Sequence, residues 1–212
     1  KHPIVGKLAL RGDPRLARTP TLFEAFVFFV LGQLVTTWEA RESFKKLGWM
    51  AGEAIAGTGL RSAPTPAGMR ALPMWKLHAI GVGSRRAATL RMGALRGASL
   101  EKLRALPGET VVEKLQSLRG IGPWTANHVA RAALGWADAV PVGDLHAPTF
   151  VTEALTGEPG DDDAMLAALE PFRPHRARVV KLLERASGPR RDDERPRRIA
   201  QVDRHRREPW RY

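Results

Sequence analysis

LQSLRGIGPWTANHVARAALGWADAVPVGD, residues 115–144, is the stretch whose reading decides the fold. Gly120-Ile121-Gly122 separates two apolar segments. Val111, Val112, Leu115 and Leu118 precede it, and a second segment starts at Pro123, where proline suits the first turn of a helix. The pattern predicts two helices joined by a tight glycine turn. Glycines let that turn adopt backbone angles closed to other residues, and they expose N–H groups beside a helix N-terminus, where the dipole favours anions. A phosphate is the natural ligand. Because backbone contacts carry no base information, such a hairpin would position DNA without reading its sequence. On the second helix Trp124 and His128 are four residues apart and share a face. The helix should stop near Gly135, and the short connection Val140-Pro141-Val142-Gly143 then brings Asp144 back toward the hairpin.

Three stretches carry a family resemblance. Leu118-Arg119-Gly120-Ile121-Gly122-Pro123-Trp124-Thr125-Ala126-Asn127 resembles the hairpin and following helix of the helix-hairpin-helix DNA glycosylases, most closely the AlkA type, DNA-3-methyladenine glycosylase II. Leu31-Gly32-Gln33-Leu34-Val35-Thr36 resembles that family's passage from its first core helix into the loop that probes the DNA stack. Ile80-Gly81-Val82-Gly83-Ser84-Arg85-Arg86-Ala87 is similar to the segment entering the helix ahead of the hairpin. They occur in the family's order and together cover roughly residues 12–185, the extent of one domain of ordinary size. The hairpin alone is less specific, since related hairpins anchor polymerases, ligases and nucleases to DNA. The resemblance implies an all-α fold of two packed helical subdomains with the active-site cleft between them. It places a glycosylase domain at 1–188 and leaves an Arg-rich C-terminal tail at 189–212.

The same resemblance assigns roles. Asp144 falls on the catalytic acid. Cleaving an N-glycosidic bond develops oxocarbenium character on the deoxyribose, which a carboxylate in a water-poor site stabilises, and the same group orients the attacking water. Trp124 stands where bifunctional relatives hold a lysine that forms a Schiff base with the sugar. Its presence implies a monofunctional enzyme, with the indole stacking on an extruded, cationic base. His128 and His175 replace aromatic residues of the AlkA pattern and are the remaining base-pocket candidates. Leu34 matches the wedge that fills the gap left by the flipped nucleotide, with Gln33 beside it against the opposite base. Gly120, Ile121, Gly122 and Thr125 are expected at the DNA backbone, and Arg85 and Arg86 at phosphates. The carbonyls of Gln116, Leu118 and Ile121 would hold a monovalent cation, sodium or potassium, as in relatives; no side-chain metal site is required. Plainer readings remain open at each position. Asp144 would cap the following helix, Trp124 would be core packing, and His128 and His175 would be surface or capping histidines. Leu34 would close the last turn of a core helix, Gln33 would cap the helix end, and Arg85 and Arg86 would be solvated charges.

Composition is consistent with a nucleic-acid partner. Thirty-four Lys and Arg against 22 Asp and Glu give a formal charge of +12, as expected of a polyanion-binding domain. No stretch approaches the roughly twenty uninterrupted apolar residues of a spanning helix, and no signal-peptide pattern opens the chain. A soluble monomer acting on damaged double-stranded DNA, located in the bacterial cytoplasm at the nucleoid, is expected. Cys is absent, which excludes disulfides, Cys-ligated zinc and the cysteine-bound iron–sulfur cluster of the endonuclease III branch. The first residue is Lys, which suggests a fragment or processed chain; the N-terminal α+β domain that AlkA-type proteins often carry is not supplied by these residues.

Elsewhere the chain reads as helix almost throughout. Thr21-Leu22-Phe23-Glu24 fits a capping box, and Phe23, Phe26, Val27, Val30, Leu31 and Leu34 follow helical spacing on what should be the central buried helix. Further helical patterns occupy about 39–47, 66–72, 84–95, 99–106, 110–117, 123–134, 147–155, 162–170 and 174–187, and strands have little support. GTGLRSAPTP, residues 57–66, reads as a connection inside the domain. The tail mixes Arg with Asp and Glu and reads as a disordered segment or a surface arm. The implied activity is excision of alkylated purines, 3-methyladenine and 7-methylguanine, from duplex DNA by base flipping, the first step of base excision repair. Two alternatives stay beside it: the same fold acting on bulkier, deaminated or oxidised bases, and a non-catalytic damage-binding module.

Overall fold

A computed structural model describes residues 2–187. The tail from 189 onward, read above as an arm or a disordered segment, lies outside the described residues. In chain order the α-helices are α1 Pro3–Arg11, α2 Leu22–Leu31, α3 Thr37–Ala51, α4 Pro66–Ala71, α5 Met74–Ala79, α6 Ser84–Leu95 and α7 Gly97–Lys102. They continue as α8 Gly108–Gln116, α9 Pro123–Leu134, α10 Ala147–Thr156, α11 Asp162–Leu169 and α12 Arg176–Ala186. A ribbon of two antiparallel strands, β1 Ala54–Ile55 and β2 Leu60–Arg61, is the strand structure among the described residues. The chain divides into two units, one built from 21–103 and the other from 2–20 with 104–187. The all-α expectation holds.

In the first unit α2 is the hub, as its apolar spacing predicts. Leu22, Phe23, Phe26, Val27, Val30 and Leu31 are buried, and α3, α6 and α7 pack around the helix. The Thr21 hydroxyl accepts the Glu24 amide (3.1 Å), and Glu101 of α7 accepts the amide of Phe23 (2.8 Å), so orphan donors at the helix head find acceptors. A full capping box closes at the next helix, where Thr36 and Glu39 exchange bonds at 3.2 and 2.9 Å. Gly93 lets α6 lie against α2: a Cβ there would come 2.2 Å from the Phe26 ring. The short ribbon within 54–61 is the one departure from the strand-free reading. Strands of two residues are too short to write an alternating pattern into the sequence.

The second unit holds the hairpin. Val111 and Leu115 of α8 and Ala126, Val129, Ala130 and Ala133 of α9 are buried. The alanines allow close approach of the two helices. Gly135 ends α9 in the left-handed region (φ 66°), the usual glycine stop. A second apolar cluster joins α10, α11 and α12 through Val140, Val151, Met165, Leu169, Val180 and Leu183, with Val5 and Leu8 of α1 packed against it. Helices α1 and α5 were not marked in the sequence. Each is a short helix, and Gly6 interrupts the pattern of α1, whose contact with α12 provides its stabilisation.

Candidate active site around Asp144

The glycine turn is built as its sequence implies. Gly120 has a φ of 86°, open to glycine and strained for other residues, and the Ile121 amide closes the turn on the Leu118 carbonyl (3.1 Å). Gly122 is the residue before the helix, with Pro123 in its first turn. A Cβ at Gly122 would meet nothing within 4 Å, so the approach to this end of α9 is open. Thr125 is only 2% exposed, and its side chain belongs to the interior. Any contact it makes with DNA would therefore come from its backbone.

The loop between α9 and α10 delivers Asp144 to the face of α9 that carries Trp124 and His128. Oδ1 of Asp144 accepts the amides of His146 (2.9 Å) and Ala147 (3.0 Å) at the head of α10, while Oδ2 accepts the Trp124 indole N–H (2.8 Å). His128 Nε2 lies 3.9 Å from Oδ2, and the His128 and Trp124 rings are 4.6 Å apart between centroids. The capping reading of Asp144 is thus realised on Oδ1, while Oδ2 is turned to Trp124 and His128. Burial alone would raise its pKa. His128, the His146 amide, the indole and the Ala147 amide outweigh that and hold the carboxyl well below the ordinary carboxylate range. Asp144 is an anion at any physiological pH. His128 is pushed the other way: burial disfavours its imidazolium, and the neighbouring Arg131 adds to this, against the pull of Asp144.

Four further residues hold the loop, and the sequence did not single them out. Asp162, in the first turn of α11, accepts the Gly143 amide on both oxygens (3.1 and 3.0 Å) at a residue whose φ is 81°. Asp138 is 3% exposed and takes the Arg176 guanidinium in two bonds, from Nε to Oδ1 (2.9 Å) and from Nη2 to Oδ2 (2.6 Å). Arg173 adds a third contact to Asp138 at 3.3 Å. A forked, buried pair of this kind pins the start of α12 to the loop that ends in Asp144. Asp138 and Arg176 are 38 residues apart, so no local spacing announces the pair.

The other expected residues stand apart from this trio. His175 is exposed just ahead of α12, where its carbonyl accepts the amides of Arg178 and Val179. None of the described contacts joins it to Trp124, His128 or Asp144. In the unit formed by 21–103, α2 stops at Leu31, and Leu34 lies beyond it with φ 57° and 96% exposure. That is not the last turn of a core helix. It is an apolar side chain held out to solvent on a strained backbone, beside Gln33, whose amide bonds the Val30 carbonyl (3.3 Å). Arg85 is exposed, whereas the Arg86 guanidinium is committed to the carbonyls of Leu31 (2.6 Å) and Gly81 (3.0 Å) and so braces the exit of α2. Among the described residues no cluster of three His, Cys, Asp or Glu is arranged to hold a metal ion, and no helix is long and apolar enough to cross a membrane.

A glycine hairpin, an aspartate held by three N–H donors on the following loop and an all-helical frame together give the fold of the helix-hairpin-helix DNA glycosylases. The comparisons bear out that resemblance. The chain is 29% identical over 144 residues to a DNA-3-methyladenine glycosylase of Bacillus subtilis, a match covering 62% of this chain and 45% of the relative. It therefore spans less than half the length of that curated relative. Among solved structures it is similar to a Schizosaccharomyces pombe 3-methyladenine DNA glycosylase in complex with abasic DNA (TM-score 0.71, 22% identity, 87% of this chain and 90% of that one). It is also similar to the Clostridium acetobutylicum 8-oxoguanine glycosylase/lyase (TM-score 0.74, 19% identity, 86% and 66% of the two chains). No protein-family profile matches the chain.

Proposed function

We propose that this chain is a monofunctional DNA N-glycosylase that flips alkylated purines such as 3-methyladenine and 7-methylguanine out of duplex DNA and hydrolyses their N-glycosidic bond. It would leave an abasic site for base excision repair. The observation that carries the proposal is the state of Asp144: an obligate anion, held by three N–H groups with the His128 ring 3.9 Å away, and with the indole of Trp124 where the family resemblance puts a lyase's lysine. An acid held so far below its ordinary range is a weak base, so its contribution is mainly electrostatic. It opposes the positive charge that grows on the sugar as the bond breaks, in a place where the donors are already oriented. A base that is itself cationic leaves without an acid, and no general acid is needed beside Trp124 and His128. Base stacking falls to Trp124, with His128 beside it and His175 at the rim of the same unit.

The remaining roles follow the same reading. Gly120, Ile121, Gly122 and the backbone of Thr125 meet the DNA phosphates, Arg85 adds a charge contact, and the exposed Leu34 with Gln33 enters the stack where the base has left. The neutral carbonyls of Gln116, Leu118 and Ile121 would hold a singly charged cation, whose positive charge would favour a phosphate at the turn. The protein acts as a monomer on damaged duplex DNA at the nucleoid. The test is single-turnover base release from duplexes carrying 7-methylguanine, 3-methyladenine, hypoxanthine, uracil or 8-oxoguanine, for the native chain and Asp144→Asn. Release of methylated purines, absent in the variant and leaving strands cut only after alkali, is the expected result. Strand cleavage without alkali would refute the monofunctional assignment. Tight DNA binding with no release from any lesion would make the chain a binding module.

A further inference from the structure

Arg131 has no part in the chemistry described so far, yet it is the residue that decides which proton His128 carries. It follows His128 by three positions on α9, so that Trp124, His128 and Arg131 share one face of the helix. The Arg131 Nη2 group donates to His128 Nδ1 at 3.1 Å. A guanidinium has donors only and stays charged, so Nδ1 must present its lone pair. The single proton of the neutral ring is then on Nε2, the nitrogen 3.9 Å from Asp144 Oδ2. A second proton would set an N–H of the ring against an N–H of the guanidinium. We infer that Arg131 is a positioning residue that locks His128 in the neutral Nε2–H tautomer, so that the ring turns a donor dipole, and no net charge, toward the Asp144 carboxylate.

The charges around the ring are consistent with this assignment. Arg131 feels the negative charges of Glu184 of α12 and of Asp144, which favour its guanidinium against the cost of burial. Among the described residues Asp144, from the loop before α10, draws a proton onto the ring, and burial together with Arg131 opposes it. The consequence for the site rests on the glycosylase reading. With His128 neutral, the full negative charge of Asp144 remains for a cationic base and an oxocarbenium sugar, whereas an imidazolium at the same place would neutralise it and repel the base. The lock thus tunes the site toward positively charged substrates in a chain where histidine has replaced an aromatic residue.

The tautomer is read directly by 15N-histidine correlation spectra of the full chain, with His128 assigned by its loss in His128→Asn. The native ring should show protonated Nε2 and unprotonated Nδ1 from about pH 8 down to about pH 6. In Arg131→Met the ring should populate both tautomers and titrate closer to the ordinary histidine value. Base release from 7-methylguanine DNA should fall roughly tenfold at the acid end of that range and much less at the alkaline end, as expected for one lost hydrogen bond. Arg131→Lys, which still offers a cationic donor, should restore the native spectrum. An Nδ1–H ring or an imidazolium in the native protein at neutral pH overturns the inference, and the native spectrum suffices for this even if Arg131→Met does not fold. So does an Arg131→Met ring that behaves like the native one. If the spectra shift as expected while no lesion is released by any form, the lock stands and the glycosylase reading falls.

Discussion

Replacing Asp144 by Asn should destabilise the protein, the opposite of what is expected when a catalytic residue sits in a strained or poorly satisfied position. The carboxylate offers Oδ1 to the His146 and Ala147 amides at 2.9 and 3.0 Å and Oδ2 to the indole N–H at 2.8 Å. An Asn amide has one oxygen. If that oxygen stays on the helix head, its NH2 group faces the Trp124 N–H, donor against donor; if it turns to the indole, the two backbone amides lose their acceptor. Either orientation leaves a partly buried donor unsatisfied, at about 1–3 kcal/mol. Loss of the negative charge at the head of α10 adds about 0.3–1 kcal/mol. The sum is about 1–4 kcal/mol, which for a chain of this size lowers Tm by about 3–16 °C. Denaturant and thermal unfolding at pH 7 measure it. The same variant should slow single-turnover release by about two to three orders of magnitude, the scale of one lost electrostatic partner in the transition state. An Asp144→Asn protein that melts at or above the native temperature would show that the three donors do not stabilise the folded state, and the account of an ionised, satisfied aspartate would fail with it.

Asp138→Asn breaks a buried forked pair and should cost about 3–5 kcal/mol at pH 7 in urea unfolding. Burial would raise the Asp138 pKa, but the bonds from Arg176 lower it below the ordinary value of 3.8, so its stabilising effect is complete above that pH and is lost as pH falls through the folded value. The difference between native and Asp138→Asn should therefore shrink in acid, and a gap that stays constant from neutral pH to about pH 2 would count against the pair. Leu34→Gly removes a side chain that is 96% exposed and relieves a φ of 57°, so unfolding free energy should stay level or rise by about 1 kcal/mol while base extrusion, followed by 2-aminopurine fluorescence, weakens; a clear loss of stability would return Leu34 to the core. Gly93→Ala sets a methyl 2.2 Å from Phe26 between α2 and α6 and should destabilise by about 1–3 kcal/mol, whereas Gly122→Ala, with nothing within 4 Å, should leave stability unchanged and reduce DNA affinity; equal melting of all three proteins would contradict the packing described.

Helices with a long apolar period were legible residue by residue. The patterns at 84–95 and 123–134 coincide with α6 and α9, and α2 occupies the centre of its unit as Phe23, Phe26, Val27 and Val30 imply. The glycine turn was equally plain, because a backbone angle that only glycine adopts easily leaves a mark in the residue type itself. Helices α1 and α5 were not, because short segments with weak patterns take their stability from what they pack on. The site was half legible. Trp124 and His128 follow from helical spacing, and Arg131 could have been found by extending the same face by three residues. The indole bond to Asp144 could not, nor could the commitment of Arg86 to two carbonyls in place of an open charge.

Local properties explain the division. The sequence by itself determined the all-helical class, the hairpin, the positive charge and the two residues that matter most to the family resemblance, Asp144 and Leu34, since each of these is written in residue type, period or short spacing. Only the tertiary structure decided what those residues are. Asp144 became an obligate anion because a loop, a helix head and an indole converge on one carboxylate. Leu34 became an exposed side chain because α2 ends three residues before it. Asp138 and Arg176 became a buried pair because folding closed 38 residues of chain between them. Protonation states and exposure depend on groups brought from elsewhere in the chain, and no periodicity records them.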